Sequence, residues 1–169
     1  SHLVFLDADD ILMPHTLEIM ASIWESNPSA IAYGDQICWG SGVDQPFLQR
    51  AIAAQVNEGH QTGWFYQQLL MGTRRVFLSG SGGPTKLFQS NPFDPEQRWE
   101  DYDLWLRLAD ECCKFEHTGY IHTLYRIENG SRSGSRAARH EGCIGIRQKH
   151  FNNIPPWRWP LWFWKQRYL

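Results

Sequence analysis

The chain has 169 residues, 42% of them hydrophobic and 20% charged, which suits one globular domain with a real core and excludes global disorder or a collagen-like repeat. The formal net charge of −2 conceals an asymmetry: residues 1–130 carry −9 and residues 131–169 carry +7. An acidic body argues against nucleic acid as a partner, and the basic end is either a solvated terminus or a contact for an anionic partner.

The first element is predicted at His2–Leu6, where a continuous apolar run ending in turn signals fits a strand covered on both faces. It stops at Asp7, Asp9 and Asp10, three carboxylates within four residues. Like charges this close repel unless a cation or a set of donors offsets them. An EF-hand loop also opens Asp-x-Asp and has an acid twelve positions on, here Glu18, but Ile11 and Leu12 stand where that loop needs a ligand and a glycine. One of the three acids is expected to cap the following helix, which leaves the other two unexplained. At the carboxyl end of a buried strand in an α/β sheet, where ligands bind, such hard oxygen donors suit Mg²⁺ or Mn²⁺ carrying a phosphate.

Pro14 fits a first helical turn, and Leu17, Met20, Ile23 and Trp24 recur at helical spacing until Asn27-Pro28 ends the helix. A second strand is expected at Ala30–Trp39, followed by the turn Gly40-Ser41-Gly42. Residues 47–57 and 64–71 read as helical. Residues 79–98, rich in glycine and proline, predict a long loop of the kind that forms lids or binding segments. A strong helix follows from Glu100 to Cys112, with Leu104, Trp105, Leu108 and Cys112 on one face and Asp103 placed to pair with Arg107. One or two strands are expected over Lys114–Ile127, then a Gly/Ser/Arg loop at Asn129–Arg136.

Cys38, Cys112, Cys113 and Cys143 have no metal-ligand spacing and read as reduced thiols. With no visible signal peptide and no apolar run of the roughly 20 residues that span a bilayer, the expected location is cytoplasmic. The tail from Phe151 to Leu169 interleaves Trp157, Trp159, Trp162 and Trp164 with Arg158, Lys165 and Arg167. It suits peripheral association with the inner face of a membrane, or packing of its rings onto the body.

Glu100 and Asp101 lie in a helix's first turn, where acids complement the macrodipole without any catalysis. Taken with the upstream Leu6-Asp7-Ala8-Asp9-Asp10, however, Glu100-Asp101-Tyr102-Asp103-Leu104-Trp105-Leu106-Arg107 resembles the family 2 glycosyltransferases, and the likeness continues through Leu124-Tyr125-Arg126 to Ser135. The resemblance implies a partial GT-A fold, an α/β Rossmann-like domain with a mixed sheet flanked by helices, over residues 1–135, with residues 136–169 as a basic, Trp-rich extension. Because the chain starts at Ser1 almost inside a strand, it reads as the C-terminal portion of a catalytic domain whose N-terminal nucleotide-binding segment lies elsewhere.

The resemblance implies an inverting transfer from a nucleotide-diphosphate sugar to the hydroxyl of a glycan, lipid-linked or protein acceptor. Asp7 and Asp9 would ligate Mg²⁺ or Mn²⁺, Asp7, Asp9, Asp10 and Arg126 would contact the donor, Asp101 with Glu100 beside it would be the base, and Trp99 and Tyr102 would contact the acceptor. Many relatives have Arg-x-His where this chain has Arg126-Ile127-Glu128, so Glu128 becomes the expected third metal ligand. Two readings from other classes stand beside this one: a non-catalytic carbohydrate- or nucleotide-binding remnant, and a Mg²⁺-dependent nucleotidyltransferase, which leaves the Glu-Asp helix unexplained.

Overall fold

The computed structural model describes residues 1–40, 65–70, 72, 74–127, 144–150 and 156. Five strands form one mixed sheet: β1 (His2–Val4), β2 (Ile11–Leu12), β3 (Ile31–Gly40), β4 (Gly82–Pro84) and β5 (Phe115–Ile127), in the spatial order β1-β4-β3-β5-β2. Among the described residues only β3 and β5 are parallel; the other pairs are antiparallel. The helices are α1 (Thr16–Ser26), α2 (Phe65–Leu70), α3 (Thr85–Ser90), α4 (Glu100–Asp110) and a short α5 over residues 144–149. This is the mixed α/β architecture that the sequence predicts.

The core forms because α4 is apolar on the face it turns inward. Leu104, Trp105, Leu106 and Leu108 are each at most 1% exposed. The Trp105 ring meets Phe5, Phe88 and Phe115 edge-on, each at 6.2 Å between centroids, the geometry that aromatic quadrupoles favour. Burying so many rings at once gathers the strand-end loop, α3, α4 and β5 around one centre.

The structure revises three boundaries. The first strand ends at Val4 and forms one edge of the sheet among the described residues, with Leu6 49% exposed; it is not a strand buried on both faces. Residues 79–98 are not one long loop, since β4 and α3 lie within them. Gly82 and Gly83 read as loop formers, yet their missing side chains are what admit a strand between β1 and β3: a Cβ on Gly82 would lie 2.2 Å from the Leu3 carbonyl oxygen. The expected helix to Cys112 stops at Asp110, and Cys112 takes a left-handed conformation (φ 61°) with the Cys113 N–H bonded to the Leu108 carbonyl at 3.0 Å. That pattern is a Schellman close, in which glycine is the usual residue. β3, α2, β5 and α1 agree with expectation to within a few residues, except that α1 opens at His15 with no side-chain cap, so none of the three acids caps it. β2 and α5 are not anticipated by the sequence, and the helix predicted at 47–57, the loop at 129–136 and the tail lie outside the described residues.

Candidate functional site

The chain leaves β1 still paired: Phe5 donates to the Ser81 carbonyl at 2.8 Å and accepts from the Gly80 N–H at 2.9 Å. Pairing then stops and the acids begin. Asp7 and Asp9 are exposed, whereas Asp10 turns inward and is 8% exposed. The Asp10 N–H closes a turn onto the Asp7 carbonyl at 3.1 Å, and its Oδ1 accepts the Arg126 N–H at 3.0 Å. Asp10 therefore ties the acidic loop to β5, on the sheet edge where β2 pairs Ile11 with Leu124. Its other oxygen, Oδ2, is buried without a hydrogen-bond partner among the described residues.

The acids at the head of α4 converge on this loop. Although Asp7 is exposed, partial desolvation by the surrounding protein, then the charge of Asp10, and further those of Asp9 and Glu100, raise its carboxyl above the ordinary range, against a hydrogen bond from Ser79 that favours its ionised form. Asp101 is pushed up to about 6, chiefly by burial, with the charges of Glu100 and Asp7 adding to it and the Tyr102 N–H opposing. That N–H reaches Asp101 Oδ1 at 2.7 Å. Two acidic motifs more than 90 residues apart in sequence thus share one electrostatic environment. Glu100 helps to raise Asp7 and Asp7 helps to raise Asp101, and a pair of carboxyls in that state favours whatever positive charge enters between them.

The other candidate residues are placed as follows. Trp99 packs against the main core, with its Nε1 buried and lacking a hydrogen-bond partner among the described residues. Tyr102 donates its hydroxyl to the Leu69 carbonyl at the end of α2 at 2.8 Å and receives Arg147 Nε at 3.3 Å. The Arg126 guanidinium lies over the Trp39 ring, 5.0 Å from its centre. Glu128 is outside the described residues.

Two groups that support the site, Ser79 and His122, were not singled out by their sequence context, and a third, Asp103, gains partners that its sequence context did not announce. Ser79, 4% exposed, accepts the Asp7 N–H on its hydroxyl at 3.0 Å. His122, fully buried and pushed down to about 4 mainly by that burial, bonds the Gly80 carbonyl with Nδ1 and Thr118 Oγ1 with Nε2. Asp103 pairs with Arg107 at 3.0 Å as the spacing predicts, but also receives Lys149 at 2.9 Å and His150 at 3.0 Å from the end of α5. Its burial would raise its carboxyl; the bonds from His150, Lys149 and Arg107 outweigh this and hold it well below the usual range. A signal for Ser79 existed in the small-residue run Ser79–Gly83, which announces close backbone approach; nothing local announces Lys149 or His150.

Among the described residues no three His, Cys, Asp or Glu side chains converge as a closed metal cage. Mg²⁺ and Mn²⁺ sites on phosphates do not require one, because one or two carboxylates together with phosphate oxygens and water complete the shell. The exposed carboxylates of Asp7 and Asp9, backed by the buried, half-paired carboxyl of Asp10, meet that requirement in donor type.

No family model matches this chain, and no curated protein sequence does. The fold does have counterparts among solved structures. One is S. aureus TarS 1-349 in complex with UDP-GlcNAc, with a TM-score of 0.55 and 14% sequence identity over 97% of this chain. The chain spans 55% of the length of that structure, and at this identity the likeness is one of fold. Among the described residues no helix is long and apolar enough to cross a membrane.

Proposed function

We propose that this chain carries the metal and acceptor half of an inverting glycosyltransferase of the family 2 kind, which moves a sugar from a nucleoside-diphosphate sugar to an acceptor hydroxyl. The observation that carries the reading is the meeting of the Asp7–Asp10 loop with Glu100 and Asp101, where the charge of Glu100 helps to raise the Asp7 carboxyl and the charge of Asp7 helps to raise that of Asp101. A fold shared with a protein that holds UDP-GlcNAc supports the donor class.

In this reading Asp7 and Asp9 hold Mg²⁺ or Mn²⁺, with Glu128 a candidate third ligand, and the metal when bound offsets the negative charge of the departing diphosphate. Asp10 keeps the loop in place from β5 and, with Arg126, lies on the donor side. Asp101 takes the proton of the acceptor hydroxyl as that oxygen attacks the anomeric carbon; the bond from that carbon to the diphosphate oxygen breaks, and the nucleoside diphosphate leaves with the electron pair. A carboxyl at about 6 is ionised at neutral pH and a stronger base than an ordinary aspartate, which suits this task. Glu100 raises Asp101 by its charge, and Trp99 and Tyr102 flank the acceptor side. The acceptor as a glycan, lipid or protein, the cytoplasmic location and a contact of the Trp-rich tail with a membrane belong to the same proposal.

The test is a hydrolysis screen across nucleotide sugars with and without Mn²⁺, on the chain together with any flanking sequence that its gene supplies. Metal-dependent release of nucleoside diphosphate that disappears in Asp9→Asn supports the assignment. Metal-dependent donor binding with no turnover would favour the non-catalytic remnant.

A further inference from the structure

The turn over Leu78–Ser81 lies beside the acidic loop, and its backbone is committed on every side. Phe5 pairs with Gly80 and Ser81. From beneath, two wholly buried residues of β5 bond successive carbonyls of the turn: Thr123 Oγ1 donates to Ser79 at 3.2 Å, and His122 Nδ1 bonds Gly80. Because its pKa is pushed down to about 4, His122 is neutral at physiological pH. A neutral imidazole carries one N–H. A carbonyl can only accept, so that proton is on Nδ1 toward Gly80, and Nε2 takes the Thr118 hydroxyl at 2.8 Å. Within the turn, Ser81 Oγ closes onto the Leu78 carbonyl at 2.7 Å. Gly80 is held at φ 79°, and a Cβ there would meet His122 Cβ at 2.6 Å.

A turn fixed this thoroughly presents one side chain to the acidic loop, the hydroxyl of Ser79. That hydroxyl receives the Asp7 N–H at 3.0 Å. Asp10 already ties the acidic loop to β5; the Ser79 bond holds its other end at Asp7, against the repulsion of Asp9 and Asp10. We infer that Ser79 is a positioning residue of the metal and diphosphate site, acting through Asp7, and that Thr123 and His122 are the buried base that fixes Ser79. This rests on the reading of Asp7 and Asp9 as metal ligands. Partners of this kind, which touch a ligand residue rather than the metal, change metal affinity by about 10–100-fold when removed.

Titration calorimetry with uridine diphosphate, with and without Mn²⁺, on the chain together with the flanking sequence that its gene supplies, separates the possibilities; no Mn²⁺-dependent binding in the wild type overturns the inference. Ser79→Ala is expected to weaken Mn²⁺-dependent binding by about 10–100-fold and to leave metal-free binding unchanged. A purely structural role would weaken both alike, and that result, or an unaltered Mn²⁺-dependent affinity, overturns the inference. Asp9→Asn is the control for the underlying reading: if it leaves Mn²⁺-dependent binding intact, the metal assignment itself falls and the inference with it. If it abolishes that binding while Ser79→Ala matches wild type, only the role of Ser79 is lost. Thr123→Val keeps the branched shape and removes just the hydroxyl beneath Ser79, so it serves where Ser79→Ala does not fold. A smaller loss confined to the Mn²⁺-dependent component is expected there, and no loss overturns the inference.

Discussion

Replacing Asp101 by Asn should make the protein more stable and much less active, and the two effects have one origin. Raising a carboxyl from 3.8 to about 6 disfavours its ionised form by about 3 kcal/mol, at roughly 1.4 kcal/mol per pKa unit. Against this, an acid in the first turn of α4 gains about 0.3–1 kcal/mol from the helix dipole. Asn keeps an oxygen for the Tyr102 N–H at Oδ1 and removes the charge. With partial solvent screening the net gain should be about 1–2 kcal/mol at pH 7, or about 3–6 °C in thermal midpoint for a chain of this size. The sign follows from linkage: a carboxyl raised on folding contributes stability that is complete below about pH 4 and lost as pH rises through about 6. The advantage of the variant should therefore shrink as the melt is repeated at pH 6, 5 and 4. In the hydrolysis assay a neutral amide cannot take the acceptor's proton, and kcat should fall by about 10²–10⁴. Glu100→Gln should have the milder effect on turnover. An Asp101→Asn protein that is less stable at pH 7 and turns over normally would refute the reasoning, since it would show an acid that only complements the helix.

The same carboxyl predicts an acid limb in kcat/KM for donor hydrolysis with a midpoint near pH 6, falling about tenfold per unit below it; a flat profile down to pH 4.5 would contradict the assignment. Cys112→Gly should stabilise by about 1 kcal/mol, because it relieves a side chain held at φ 61° at the end of α4, as a denaturant midpoint would show. Asp103→Asn should cost about 1–3 kcal/mol, because the wholly buried carboxylate loses its charge toward the buried His150, whereas Arg107 and Lys149 are partly exposed and keep contact with water. Because this carboxyl is lowered on folding, its contribution is present above about pH 4 and lost in stronger acid, so the wild type and variant should converge in acid melts. Trp105→Ala, at a site 0% exposed, should cost about 3–5 kcal/mol and be visible as loss of cooperative unfolding.

By itself the sequence determined the α/β class, the extents of α1 and α4 to within a few residues, and the two acidic motifs. These follow from short-range physics: apolar residues recurring at helical spacing, Asn27-Pro28 as a stop, and the Asp103–Arg107 pair four residues apart. Tertiary structure decided what the same local cues left ambiguous. Gly82 resembles a loop residue until β1 approaches so closely that no side chain would fit, and then it is strand. Asp7, Asp9 and Asp10 look equivalent as letters, yet only Asp10 turns inward onto the Arg126 N–H, because that N–H comes from a strand 116 residues later. The proton affinity of Asp101 depends on burial and on the charges of Glu100 and Asp7, and Ser79 matters through its bonds to Asp7. Desolvation and cross-chain hydrogen bonds are properties of a neighbourhood, and that neighbourhood exists only once Trp105 and its aromatic partners have drawn the strand end and the helix start together.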